Sequence, residues 1–240
     1  MKKDVWISGW RLDALIFDMD GLIFDSERIV QRAWTSASRE LGIPDAGAHI
    51  YNTIGFNSAR RDVYFSGVFG ADFPATEFAV ASRRHFIAIS ETEGVPVKPG
   101  AKELLQFAKE LGIKTALATS SRQIHAVEML KRAELFHYFD AAVYGDVVKN
   151  AKPDPEIYLT AAHMLKTAPS GCMALEDAPA GIQSAYAAGM RPVMVPDLVA
   201  PDQETLAKCW RCFDTLNDVI AWIRSSSFAI PAPGSSAGED

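Results

Sequence analysis

Five short apolar runs alternate with helical patterns along this chain, and that alternation leaves few architectures open. The first run, Ala14-Leu15-Ile16-Phe17, has the length and unbroken hydrophobicity of a strand covered on both faces in a parallel sheet. Further runs stand at 114–118, 141–144, 173–175 and 192–195. Between them, Pro99 opens a helix through Leu104, Leu105, Ala108 and Leu111 that Gly112 closes, and a second runs from Ser121 through Ile124, Val127 and Leu130. Asp154-Pro155 opens a third, and a fourth ends at Gly189. Strands alternating with helices predict an α/β fold with a doubly wound parallel, Rossmann-like sheet.

The first two runs are separated by a long stretch without strand alternation. Ser26 is expected to cap a helix through Val30, Ala33, Trp34, Ala37 and Leu41, with Gly42 as its stop, and the helical pattern then continues to about residue 93. The expected organisation is an α/β core from 1–27 and 95–224, with a helical cap domain inserted at 28–94. The segment 225–240, rich in Ser, Pro, Gly and Ala, reads as a disordered tail.

With 48% hydrophobic and 22% charged residues the chain is globular, and a net charge of -6 without a basic block argues against a nucleic-acid surface. No run reaches transmembrane length, and Gly9 with the polar residues around it interrupts the N-terminus before a signal-peptide core forms. A cytoplasmic protein with no membrane partner is expected, as a monomer or weak homodimer. Three cysteines are too few for a disulfide framework; Cys209 and Cys212 have the spacing of half a zinc site, but no second pair follows, so they read as incidental.

The chemistry stands where the apolar runs stop. The first ends in Asp18-Met19-Asp20-Gly21, and since an unpaired buried carboxylate is costly, a metal is the natural counter-charge. The second ends in Thr119-Ser120-Ser121, where hydroxyls and amides at a helix start serve either as a phosphate cradle or simply as N-caps. Lys152, just before Pro153, can aim an ammonium across the strand ends or stand as an ordinary loop lysine. The fourth run ends in Glu176-Asp177, a second acidic pair that can share with the first a hard, oxygen-preferring cation such as Mg²⁺.

Taken in order, Asp18-Met19-Asp20-Gly21 with Asp25-Ser26, Ala118-Thr119-Ser120-Ser121, Lys152-Pro153-Asp154-Pro155 and Glu176-Asp177-Ala178-Pro179-Ala180-Gly181 resemble the four motifs of the haloacid dehalogenase-like superfamily. The likeness covers about 12–195 and is strongest to the β-phosphoglucomutase-like group, which includes sugar-phosphate phosphatases. The resemblance implies that Asp18 is the nucleophile that forms an aspartyl phosphate, and that Asp20 is the general acid and then the base. It implies that Thr119, and Ser120 beside it, and Lys152 bind phosphoryl oxygens. Mg²⁺ would be held by Asp18, the Asp20 backbone carbonyl and Asp177, with Glu176 as an outer or alternate ligand. The helical insert would be a cap that closes over the site.

Within that group the residues separate several reactions. Asp20 argues against dehalogenation, and the absence of lysine from 4–97 closes a Schiff-base route through the cap. A mutase would carry a histidine at position 30 and an arginine at position 58, where this chain has Val30 and Ser58. A phosphatase for a small phosphorylated metabolite, such as a sugar phosphate, is therefore favoured over a phosphosugar mutase or a silent binding module. Arg60 and Arg61, close to Gly55, are candidates for a second polar or anionic part of the substrate, whereas His85 reads as a surface or structural residue.

Overall fold

The computed structural model describes residues 4–56 and 58–227. Three strands open the chain, β1 (Val5–Ile7), β2 (Trp10–Leu12) and β3 (Ala14–Phe17). Helices α1 (Glu27–Leu41), α2 (Ser58–Phe69) and α3 (Ala75–Glu93) follow, with a 3-10 segment at Ala46–Asn52 between the first two. The α/β alternation then runs α4 (Ala101–Leu111), β4 (Lys114–Thr119), α5 (Gln123–Arg132), β5 (Ala141–Tyr144), α6 (Glu156–Met164), β6 (Cys172–Glu176), α7 (Pro179–Ala187) and β7 (Arg191–Met194). It closes with α8 (Gln203–Lys208), β8 (Arg211–Cys212) and α9 (Leu216–Ser227).

Six strands form one parallel sheet in the order β5-β4-β3-β6-β7-β8. All four residues of β3 are buried, and the period-two alternation of a strand divides them between the two faces. Leu15 and Phe17 join one core with Leu104 and Leu105 of α4, Leu130 of α5 and Ile223 of α9. Ala14 and Ile16 join the other with Ala116, Ala174 and, from α6, Ile157 and Tyr158. Each fully buried leucine or isoleucine contributes roughly 1.5–3 kcal/mol, so a charge placed anywhere within β3 would be expelled. The charges therefore gather one residue beyond it.

The chain order fixes where they meet. It leaves β3 outward through β4 to β5, then returns to the other flank of β3 with β6, so the two directions part at β3, where open α/β sheets hold ligands beyond the carboxyl ends of the strands. Phe17 is level with Leu117 of β4 on one side and Leu175 of β6 on the other. Asp18, Ala118 and Glu176 thus emerge side by side.

Helices α1 to α3 enclose a small aromatic core of their own around Trp34, Phe65, Phe73 and Phe78. The two chain segments joining this cluster to the sheet are bonded to each other, Asp25 N–H to Pro96 C=O at 2.9 Å and Lys98 N–H to Ile23 C=O at 2.8 Å. Phe24 and Val97 form a bridge between them.

Several expectations need correction. Ser26 does not cap α1 with its side chain, because its hydroxyl is taken by Asp20 at 2.8 Å. Helix α5 starts at Gln123 and not at Ser121. Residues 225–227 continue α9, while 228–240, the rest of the expected tail, lie outside the described residues. The β1–β2 hairpin and β8 are additions. Cys172, Cys209 and Cys212 are free thiols. Among the described residues no helix is long and apolar enough to cross a membrane.

Candidate active site

Lys152 is the hub of the strand-end cluster. It is 3% exposed, and its ammonium donates to Asp18 Oδ1 at 2.5 Å, to Glu176 Oε1 at 2.6 Å and to the Ala118 carbonyl at 2.9 Å, which uses all three of its hydrogens. Burial works against the ammonium, but Asp18 and Glu176 more than offset it and hold Lys152 above its ordinary pKa. Glu176 also accepts from the Tyr158 hydroxyl, out of α6. A Cβ on Gly181 would collide with the Glu176 carboxylate, which explains a glycine inside the first turn of α7.

Asp18, Glu176 and Asp177 each place one carboxylate oxygen so that all three lie within 4.8 Å of one another. One ammonium facing three carboxylates leaves two negative charges uncompensated in a site closed to water. Burial, with like charge next to it, pushes Asp18 up to about 7 and Asp177 well above the usual carboxylate range. Asp177 Oδ2 is buried and has no hydrogen-bond partner. Gly21 leaves room for that carboxylate, since a Cβ there would run into it, and its φ of +80° suits glycine. The uncompensated charge, the orphaned oxygen and an all-oxygen donor set fit a divalent cation.

Asp20 faces elsewhere. Its Oδ1 accepts from Ser26 at 2.8 Å, and its Oδ2 accepts from Ser121 at 2.7 Å and from Thr119 at 3.5 Å. The Thr119 oxygen in turn accepts the Ser121 amide at 3.0 Å. The two acids of the first motif, one residue apart, therefore occupy different surroundings: Asp18 sits with the ammonium and the other acids, and Asp20 in a ring of hydroxyls. The Asp20 side chain is not part of the carboxylate trio. The turn carrying Asp20 is fastened from below by Lys98, which donates to the Gly21 carbonyl at 2.7 Å and to Asp197 at 2.9 Å.

The Ser120 hydroxyl lies 3.4 Å from the Gly55 carbonyl, and the next residue, Ser121, faces Asp20. Arg60 is exposed and lies 3.8 Å from the centroid of the Phe56 ring, whereas Arg61 is half-buried and senses Glu27 and Asp20. His85 bonds Glu40 at 2.9 Å on the outside of the helical cluster. Two residues that sequence reading left out also belong here: Tyr158, and Glu27, whose carboxyl burial and Asp20 push up to about 8.

A family model described as haloacid dehalogenase-like hydrolase matches residues 12–189, from the end of β2 to just past α7, and so takes in every strand end described above. The chain belongs to the haloacid dehalogenase-like hydrolases. Similar members of this family include hexitol phosphatase A of Escherichia coli, 35% identical over 192 residues, which cover 77% of this chain and 83% of the relative. The phosphorylated carbohydrates phosphatase of Thermotoga maritima is 32% identical over 182 residues, covering 76% and 84%. The β-phosphoglucomutase of Bacillus subtilis is 32% identical over 202 residues, covering 78% and 88%. The crystal structure of CbbY from Rhodobacter sphaeroides in complex with phosphate superposes with a TM-score of 0.76 at 25% identity, over 89% of this chain and 99% of CbbY. The haloacid dehalogenase-like core is thus shared with sugar-phosphate enzymes along most of its length.

Proposed function

We propose that this hydrolase is a Mg²⁺-dependent phosphatase for a small phosphorylated sugar or polyol, working through an aspartyl phosphate on Asp18. The observation that carries the reading is the division of labour between Asp18, held by Lys152 at 2.5 Å among other carboxylates, and Asp20, held by hydroxyls. Those two surroundings support a nucleophilic role for Asp18 and a proton-carrying role for Asp20.

Asp18, Asp177 and the Asp20 carbonyl would hold the cation, with Glu176 fixed on Lys152 and Tyr158 behind them. When bound, the cation supplies positive charge that lets an anionic phosphoryl group approach an anionic nucleophile. Asp18 Oδ attacks phosphorus as the ester P–O bond breaks, and Asp20 gives its proton to the departing oxygen. Asp20, now ionised, takes a proton from water, whose oxygen attacks the acyl phosphate; inorganic phosphate leaves, and the Asp18 carboxylate is restored. Lys152 offsets negative charge at Asp18 throughout, and Thr119 and Ser121 hold the Asp20 carboxyl in line.

The helical cluster, as a cap, would exclude bulk water during the acyl-phosphate step. Support for a phosphatase over a mutase comes from Val30, which packs against the aromatic core of α1–α3 and leaves no titratable group where a mutase needs its histidine. The deciding experiment is phosphate release from p-nitrophenyl phosphate with Mg²⁺ and with EDTA. Release that needs the cation and is lost in Asp18→Asn supports the reading, and no release either from p-nitrophenyl phosphate or from a hexitol phosphate under either condition overturns it.

A further inference from the structure

Glu27 has no use in the scheme above, and its position is expensive. It is 9% exposed in the first turn of α1, and among the described residues its carboxylate has no hydrogen-bond or ion-pair partner. The N-terminus of a helix favours an acid, but burial and the neighbouring Asp20 push this carboxyl up to about 8. The residue before it, Ser26, bonds Asp20. Glu27 is therefore buried beside the acid placed to protonate the leaving group, where the non-phosphate part of a substrate must lie.

A cation stands opposite. The Arg61 guanidinium, from the first turn of α2, lies 5.7 Å from the centroid of the Trp34 ring. Trp34 is seven residues after Glu27, hence on the same face of α1 and about 10 Å further along its axis. The charges acting on Arg61 are Glu27, Asp20 and Asp62, but no ion pair closes between Arg61 and any of them. An acid on α1 and a guanidinium on α2 thus both act on Asp20, with no ion pair closed between them. Such a pair matches a body that offers hydrogen-bond donors to one and acceptors to the other, and a chain of neighbouring hydroxyls offers both.

We infer that Glu27 and Arg61 are the specificity-determining pair of this enzyme, reading the hydroxyls of a polyhydroxylated monophosphate and disfavouring alkyl and aryl phosphates that carry none. The inference rests on the phosphatase reading. Without substrate hydroxyls the buried carboxyl stays unpaired, which is the way such sites reject analogues lacking a hydroxyl.

The test compares kcat/KM for a hexitol 6-phosphate, ethyl phosphate and p-nitrophenyl phosphate in the parent enzyme, Glu27→Gln, Glu27→Ala and Arg61→Gln. Loss of a hydrogen bond predicts a fall of about 10- to 100-fold for the hexitol phosphate in each variant, with a clearly smaller fall for p-nitrophenyl phosphate, so that the ratio of the two kcat/KM values changes. In the parent, the hexitol phosphate should be preferred to ethyl phosphate by at least the same factor. Thermal unfolding of each variant checks that it is folded, and the conservative Glu27→Gln is the informative variant if Glu27→Ala is not. A parent enzyme that hydrolyses p-nitrophenyl phosphate but treats ethyl and hexitol phosphates alike overturns this inference and leaves the phosphatase reading standing. So does an equal fall on all three substrates in Glu27→Gln, which would make Glu27 a general support of the site. A parent inert toward all three with Mg²⁺ overturns the phosphatase reading itself.

Discussion

The Lys152 ammonium donates to Asp18 Oδ1 at 2.5 Å across the strand ends, with 2% and 10% of the two side chains exposed. Removing one member of a buried, hydrogen-bonded ion pair strands the other, at a cost of about 3–5 kcal/mol. Here it strands two carboxylates at once, Asp18 and Glu176. Lys152→Met should therefore lower stability by an amount in that range in the metal-free protein, measured by urea unfolding, and abolish phosphatase activity. Lys152→Arg should not restore it, because the three acceptors around Nζ match an ammonium and not a planar guanidinium.

The same crowding gives the metal-free protein an unusual pH dependence. Asp18 is raised to about 7, Glu27 to about 8, and Asp177 in the same direction. A carboxyl whose pKa is raised on folding binds more protons in the folded chain than in the unfolded one, so stability falls as pH rises between the two values. The Tm in EDTA should drop from about pH 4 to pH 8, with each 1 kcal/mol worth roughly 2–4 °C in a chain of this size. Excess Mg²⁺ should flatten the upper part of that curve, since it binds the ionised carboxylates. A metal-free Tm that climbs over this range would show that the cluster is not held as described.

Much of this site was legible in the sequence because each motif sits at the end of a buried strand, and parallel register carries those ends to one line. Asp18, Lys152, Glu176 and Asp177 needed only that geometry. The role of Ser121 did not yield to it: that its hydroxyl faces Asp20 depends on where α5 begins, and the helix starts at Gln123, two residues beyond Ser121. Tyr158 was hidden in the apolar face of α6, where an aromatic residue reads as packing. Glu27 looked like an ordinary first-turn acid, because nothing in a helical pattern says that the N-terminus of α1 will be buried. Strands of two or three residues, such as β8 and β1, carry too little pattern to be read at all.

Two glycines can be tested as spacers. Gly21 stands at φ +80° with Asp177 against it, and Gly181 has Glu176 against it, so a methyl group at either position displaces a carboxylate from the cluster. Gly181→Ala, on an unstrained helical position, should fold while losing at least tenfold in affinity for Mg²⁺, measured as the concentration that restores phosphate release after EDTA. Gly21→Ala should be worse in both respects, since it adds backbone strain of about 1 kcal/mol or more to the collision. Unchanged Mg²⁺ dependence in Gly181→Ala would mean that Glu176 has no part in shaping the cation site.

The separation of Asp18 from Asp20 makes the sharpest prediction. With Asp18 as nucleophile and Asp20 as proton carrier, Asp20→Ala should slow both formation and hydrolysis of the phosphoenzyme, each by the 10²- to 10⁴-fold typical of a lost general acid or base. p-Nitrophenolate leaves with little help from a proton, so that substrate should recover most of the first step and none of the second. The phosphorylated protein should then accumulate in Asp20→Ala, with the phosphate on Asp18 when rapid-quench samples are analysed by mass spectrometry. Ser121→Ala, which removes the 2.7 Å bond to Asp20 Oδ2 but leaves Ser26 in place, should show the same accumulation in milder form. Equal slowing with good and poor leaving groups, or phosphate on any other residue, would mean that the two acids have been assigned the wrong way.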